Sequence, residues 1–374
     1  MATLFIVTTP LQMLTSQQII RQEKIEDAIL LESSFSNSPD FSEIYDICRI
    51  ESLWIKKLPS VVDFMGWDSG GIDLFHTAKT TRRRYKEFLA QLKNNNVKTI
   101  YLADYQCQTC RFMTIVLSHL GYFVNFYEEG YSHYVQRPFK INTGIKAKIK
   151  EWLLDFGYYI PLYGIKFAKW RNNPNRPYNG LPIHKRFSIV PGILNEPYDQ
   201  RLFCVPMVSD RLKCLLEKQI YGNTNERRIL FLSDPMSEVL YSDFRYLYFE
   251  VMKESLSELD KDVVVYIKFH PRENKESRIQ HQQLLQSQGL NFRILSNEVN
   301  IPVEYYLQNT KFETIFFFNT STFFYNGYLF PRCRFTHLLP VLLKKAIQNN
   351  VPTSNIKQME LLIEKMNKIE DMNI

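Results

Sequence analysis

Apolar runs of strand length recur along this chain with helical stretches between them, and that rhythm admits few folds. Leu4 to Thr8, Ala28 to Leu31, Leu53 to Ile55, Thr99 to Ala103 and Tyr122 to Tyr127 read as strands in the first half. Helical patterns cover Pro10 to Ile20, Thr77 to Asn94 and Cys107 to Leu120, the first opened by a proline, which suits a first helical turn. After a Pro-, Asn- and Gly-rich stretch from Asn172 to Arg201, read as a linker, a second series begins. It has strands at Arg228 to Leu232, Val263 to Phe269, Asn291 to Ile294 and Thr314 to Phe318, and helices at Tyr241 to Leu259 and Arg278 to Gln288. Nearly continuous apolar strands separated by helices predict α/β structure with parallel sheets covered on both faces. With 374 residues, more than one core usually serves, the expectation is two Rossmann-like domains, 1–187 and 188–353. A terminal helix, 354–374, packs back across them.

Composition excludes whole classes. Hydrophobic residues at 45% and aromatics at 14% supply enough apolar surface to rule out a disordered chain. No run approaches the ~20 apolar residues of a membrane span, and Met1 leads into the first strand without a basic export leader, so a cytoplasmic location is expected. Six cysteines scattered over this length do not make a disulfide framework, and Cys107-Gln-Thr-Cys110 has no second pair to complete a zinc site. The net charge of +7 lies wholly in the first half, where residues 1–187 carry 24 basic and 17 acidic side chains. From Arg137 to Arg186 eleven basic residues meet two acids, interleaved with Trp152, Phe156, Tyr158, Tyr159, Tyr163, Phe167 and Trp170. That mixture suits an anionic membrane face. Nucleic acid is the rival partner, and a solvated helix covering its own domain is the plain alternative.

Open parallel sheets bind ligands beyond the carboxyl ends of their strands, and polar clusters stand there. They are Thr8-Thr9-Pro10-Leu11-Gln12, Glu128-Glu129-Gly130, Ser233-Asp234-Pro235, His270-Pro271-Arg272 and Asn319-Thr320-Ser321-Thr322. Repulsion between Glu128 and Glu129 would raise one pKa and tune a general base for a sugar hydroxyl; helix capping explains the pair equally simply. His270, with Arg272 beside it, can stabilise a departing phosphate, although a lone strand-end histidine is often structural. Ser321 and Thr322 sit where a helix is expected to begin, a place for an anion; ordinary capping accounts for one of these hydroxyls. There is no GxxxxGK[ST], GxGxxG or HExxH motif, which removes the main sequence support for P-loop, dinucleotide-binding and zinc-protease functions. Asp260-Lys-Asp262 has the DxD pattern of metal-dependent sugar transferases but precedes its strand, so it reads as a turn and no catalytic metal is expected.

In this order the motifs resemble those of bacterial sialyltransferases: Thr9-Pro10-Leu11-Gln12 after the first strand, the acidic pair with Gly130, His270-Pro271, and Ser321-Thr322. The pattern is most similar to glycosyltransferase family 52, the lipooligosaccharide sialyltransferases, with the capsular polysialyltransferases as near relations. The resemblance implies a GT-B type architecture. It also implies a metal-independent, inverting transfer of sialic acid from CMP-sialic acid to a galactose-type hydroxyl of a lipooligosaccharide or capsular glycan. It places acceptor contacts at Thr9, Gln12 and Glu129, and donor contacts at His270, Pro271, Arg272, Asn319, Thr320, Ser321 and Thr322. His270 assists the leaving phosphate, and the base is Glu128 or, in the loop after the first strand of the second domain, Asp234. No cofactor is implied beyond the donor substrate. Homodimerisation and contact with the inner face of the cytoplasmic membrane follow from the same resemblance; nucleic acid does not. Two other functions stay open: the same fold with a glucose or N-acetylhexosamine donor, and a non-catalytic basic protein bound to membrane or nucleic acid.

Overall fold

Each apolar run becomes a strand paired in parallel with its neighbours. The computed structural model describes residues 1–33, 42–58, 74–103, 108–128, 144–168, 182–190, 199–203, 208–220, 226–234, 245–271, 273–295, 301–326 and 333–372. Its contacts divide the chain into two units, Met1–Met207 and Val208–Ile374. The first contains β1 (Ala2–Val7), β2 (Ala28–Glu32), β3 (Lys56–Leu58), β4 (Val97–Ala103), β5 (Phe123–Tyr127), β6 (Arg186–Ser188) and β7 (Asp199–Arg201). These form one sheet in the order β3-β2-β1-β4-β5-β6-β7. The second contains β8 (Arg228–Leu232), β9 (Val264–Lys268), β10 (Asn291–Leu295), β11 (Thr314–Phe317) and β12 (Arg334–His337), ordered β10-β9-β8-β11-β12.

In both sheets the strand order runs outward from the first strand and then reverses beside it, which is the doubly wound, Rossmann-like arrangement. The reversal lies between β1 and β4 in one unit and between β8 and β11 in the other. Parallel sheets are stable only when covered on both faces, and β1, β2 and β9 are buried at every position. In the first unit Leu4, Ile6, Leu102 and Phe126 pack with Phe88, Phe112 and Val116. In the second, Phe231, Val265, Ile267 and Phe318 pack with Val251, Met252, Leu285 and Leu342. The expected pair of Rossmann-like domains is present.

Three details depart from the sequence reading. Leu53 to Ile55 is not a strand: a 3-10 turn occupies Glu51–Leu53 and the strand follows at Lys56–Leu58. Exposed Lys56 and Lys57 on this edge strand hide the apolar pattern. The stretch taken as a linker contributes β6 and β7, and the division between units falls after Met207 rather than at 187/188. β6 was unreadable because its side chains are Arg186, Phe187 and Ser188, all buried. The terminal helix, Thr353–Met372, belongs to the second unit, where Met359 enters the core. No described helix is long and apolar enough to cross a membrane.

His337 closes the edge of the second sheet. Its ring lies 4.9 Å from that of Phe317 with an interplanar angle of 3°, and Nε2–H donates to the Phe318 carbonyl at 3.0 Å. Burial lowers its pKa from 6.5 to about 4, so the unfolded chain binds the proton that the folded chain excludes. Stability is therefore complete above about pH 6.5 and falls by up to about 3 kcal/mol as pH drops towards 4. Buried His281, also lowered to about 4, acts in the same direction. Urea titrations at a series of pH values should give His337→Gln a shallower acid limb than the parent.

Candidate functional site

At the reversal of the first sheet, the chain leaves β1 and enters the helix Pro10–Gln22 within two residues. Thr9 caps that helix, its Oγ1 accepting from the Gln12 amide N–H at 3.3 Å. The Gln12 side chain turns back, so that Oε1 accepts from the Thr8 amide at 2.7 Å and from the Thr8 hydroxyl at 2.9 Å. Gln12 is fully buried, and its Nε2 has no partner among the described residues. A buried donor without an acceptor costs stability, which marks this turn as built for something other than packing.

Glu128 follows β5 on the same edge and is fully buried. Its backbone N–H donates to Phe187 O at 3.0 Å, and its Oε2 accepts from the Ile189 amide at 2.6 Å, so the segment after β6 fixes the carboxylate. Tyr127, immediately before it, reaches over β4: its hydroxyl donates to Ile6 O of β1 at 2.7 Å. Two strand spacings separate β1 from β5, roughly 10 Å. The turn at Thr8–Gln12 and the carboxylate of Glu128 thus share one edge. Glu129 lies outside the described residues.

In the second unit the corresponding edge gathers Asp234, His270 and Ser321. Asp234 follows β8 and is buried; its amide donates to the Tyr248 hydroxyl at 3.5 Å. His270, half-buried after β9, has its backbone held on both sides. Its N–H donates to Ser233 Oγ at 3.2 Å, and its carbonyl accepts from the Glu273 amide at 3.0 Å. Pro271 is exposed beside it, and Arg272 lies outside the described residues. Past β11, Thr320 caps a five-residue 3-10 helix, Ser321–Tyr325, where an α-helix was expected. Asn319 and Thr320 are half-buried there. The Thr322 hydroxyl points inward to Glu304 Oε1 at 2.8 Å. Among the described residues Ser321 makes no side-chain hydrogen bond, so of the expected hydroxyl pair it is the one available to a ligand.

Beneath this edge lies a polar network that the sequence did not announce. Both oxygens of Glu273 accept from hydroxyls: Ser233 on one side, and Ser277 at 2.7 Å on the other. His281 Nδ1–H donates to Ser277 O at 2.8 Å and lies 3.3 Å from Glu273. Its Nε2 is then the acceptor for the Tyr248 hydroxyl at 3.2 Å, which carries the chain back to Asp234. Burial raises the Glu273 pKa above the usual carboxylate range and keeps His281 neutral. A second buried set joins β9 to the turn after β11: Lys268, lowered by burial to about 8, faces Glu304, which burial raises. The spacing of Ser277 and His281, four residues apart on the helix Lys275–Ser287, was the one readable hint.

Other motifs find structural roles. Asp260 and Asp262 meet Arg227 at 2.7 and 3.4 Å at the amino-terminal end of β9, away from the ligand edge. Cys110 is buried in the first core, and Cys107 lies outside the described residues. Among the described residues no group of three or more His, Cys, Asp or Glu has metal-binding geometry.

A family model described as alpha-2,8-polysialyltransferase (POLYST) matches residues 3–339. No curated protein matches the sequence. Among solved structures, a spinosyn rhamnosyltransferase complexed with thymidine diphosphate is similar at 12% identity and TM-score 0.45, over 100% of this chain and 96% of that one. The E. coli ADP-heptose lipopolysaccharide heptosyltransferase II is similar at 12% identity and TM-score 0.41, over 96% and 100%. The Methanocaldococcus jannaschii UDP-GlcNAc 2-epimerase is similar at 12% identity and TM-score 0.45, over 93% and 92%.

Glu273→Ala would leave the buried Ser277 hydroxyl without this acceptor and Ser233 with a long 3.4 Å bond to the Lys268 carbonyl, and a loss of roughly 2–4 kcal/mol is expected. Ser277→Ala, which removes one donor and leaves Glu273 its Ser233 bond, should cost about 1 kcal/mol. Urea midpoints of the two variants check this order; equal midpoints would contradict it.

Proposed function

The chain belongs to the alpha-2,8-polysialyltransferase family, and starting from that membership in a family of sialyltransferases we propose that it moves sialic acid from CMP-sialic acid to a glycan hydroxyl, without a metal and with inversion. The linkage in the family's description favours a hydroxyl of a terminal sialic acid as acceptor. A galactose hydroxyl of a lipooligosaccharide, the expectation from family 52, is the second reading. The observation that carries the proposal is the clamped His270: a backbone held between Ser233 and Glu273 fixes the turn that carries an imidazole past β9, one strand from the reversal of a Rossmann-like sheet.

On this reading the CMP phosphate lies along the edge formed by β9, β8 and β11. His270 donates to the leaving phosphate oxygen, Ser321 donates to the same group, and positive charge near Lys268 favours the anion. The base we assign is Glu128, which takes the proton from the acceptor hydroxyl as that oxygen attacks the anomeric carbon. The bond from that carbon to the phosphate oxygen breaks, and CMP departs. Burial of Glu128 just past the carboxyl end of β5, with Oε2 aimed by the Ile189 N–H at 2.6 Å, supports this role. Asp234 is the alternative base. Thr9, Gln12 and Glu129 contact the acceptor, with Gln12 Nε2 as an available donor.

A melting-temperature screen should give a clear rise with CMP and none with UDP or GDP at equal concentration. Transfer from CMP-sialic acid should be seen with oligosialic acid or sialyl-lactose as acceptor, and product on lactose alone would select the galactose reading. Glu128→Gln should lower turnover by about 100-fold or more with the melting temperature retained. If Asp234→Asn silences the enzyme and Glu128→Gln does not, the base is Asp234. A rise with UDP in place of CMP, together with no transfer of sialic acid, would assign a different donor.

A further inference from the structure

The helix Ile145–Leu154 in the first unit presents its apolar face away from the protein. None of its residues is buried. Ala147, Glu151 and Leu154, on one side, are half-buried against the unit. Ile145, Ile149, Trp152, Leu153 and Phe156 are exposed by 78, 54, 57, 57 and 49%. Their spacing of i, i+4, i+7, i+8 and i+11 traces a single helical stripe. At ~100° per residue Lys146 stands about 100° to one side of Ile145 and Lys148 about 60° to the other, so the stripe is bordered by ammonium groups on both flanks.

The stripe is firmly mounted. Directly after the helix the backbone widens into a π-helical turn, Asp155–Tyr159. The buried Asp155 carboxylate accepts from the amides of Phe167 at 2.7 Å and Ala168 at 2.8 Å. Tyr158, Tyr159 and Tyr163 enter the core, with Phe112 packed against Tyr163 at 4.7 Å. These anchors fix the rotation of the helix, so its exposed side is set by packing. On that side the rings of Trp152 and Phe156 lie 5.0 Å apart, and the Lys166 ammonium sits 5.7 Å from the Phe156 ring.

We propose that this stripe seats the first unit on an anionic phospholipid surface. The apolar side chains enter the boundary between headgroups and acyl chains, and Lys146, Lys148, Lys150 and Lys166 meet lipid phosphates. Charge selects this occupant over a second copy of the chain: a two-fold contact would place the same lysines against themselves, in a segment where eleven basic residues meet two acids between Arg137 and Arg186. The inference rests on the first unit alone and is independent of the sugar transferred.

The test is flotation of the full chain with vesicles of phosphatidylcholine mixed with phosphatidylglycerol, and with vesicles of phosphatidylcholine alone. The chain should float with the mixed vesicles, less so as salt rises, and weakly with the neutral ones. Ile149→Ser combined with Trp152→Ser, and separately Lys146→Glu combined with Lys148→Glu, should each weaken binding by about tenfold or more. Both should melt near the parent temperature, since these side chains are exposed and, among the described residues, Trp152 meets only another exposed ring, Phe156. A parent chain that stays unbound to mixed vesicles, or variants that float as the parent does, would overturn the proposal. So would a self-association in sedimentation equilibrium that the Ile149/Trp152 variant abolishes while vesicle binding is unchanged.

Discussion

Parallel pairing is the constraint from which the rest follows. When every strand of a sheet runs the same way, every connection must return along a face, and all the strand ends that enter helices lie on one edge. The apolar residues that make the strands also commit them to burial on both faces, so polar chemistry has room only beyond those ends. Thr8 and Glu128 come directly after a buried strand, and Asp234 and His270 one residue further on, and that position, more than their identity, singles them out. The reversal of strand order then opens a crevice between diverging helices in each unit.

Holding polar groups at such an edge has a cost, and the second unit meets it with hydrogen bonds. Glu273 is buried and its carboxylate is satisfied by two hydroxyls; His281 is kept neutral, with a donor role on one nitrogen and an acceptor role on the other. In a low-dielectric interior such a network is strong only when each member is matched. Its effect is to fix from below the turn that carries the half-buried His270. The Lys268, Glu304 and Thr322 set does the same for the turn beyond β11, which is why Thr322 faces inward and Ser321 outward.

Much of this was legible in the amino-acid order. β1, β4, β5, β8 and β9 are nearly unbroken apolar runs, and a run of that length between helical patterns has few other readings. Elements failed where packing overrode local pattern. Arg186 and Ser188 lie in the core sheet although neither type favours it, and lysines mask the edge strand β3. The helix Ile145–Leu154 was read only as part of a basic, aromatic segment, because its rotation depends on Asp155 bonding to amides twelve and thirteen residues away. The site was half legible: strand-end clusters could be named, but Glu273 and Tyr248 act through partners 40 and 14 positions distant, a relation that no local spacing encodes.

The bond from Tyr127 to Ile6 carries one more implication. Tyr127 stands beside Ala103 in the register of β5 and β4, so the ring that spans from β5 to β1 passes over a side chain of a single methyl. Bulk at 103 would lift the phenol from its carbonyl and with it the start of the Glu128 turn. The two sites should therefore be free to vary only as a pair, a larger side chain at 103 being tolerated where 127 no longer has to bridge.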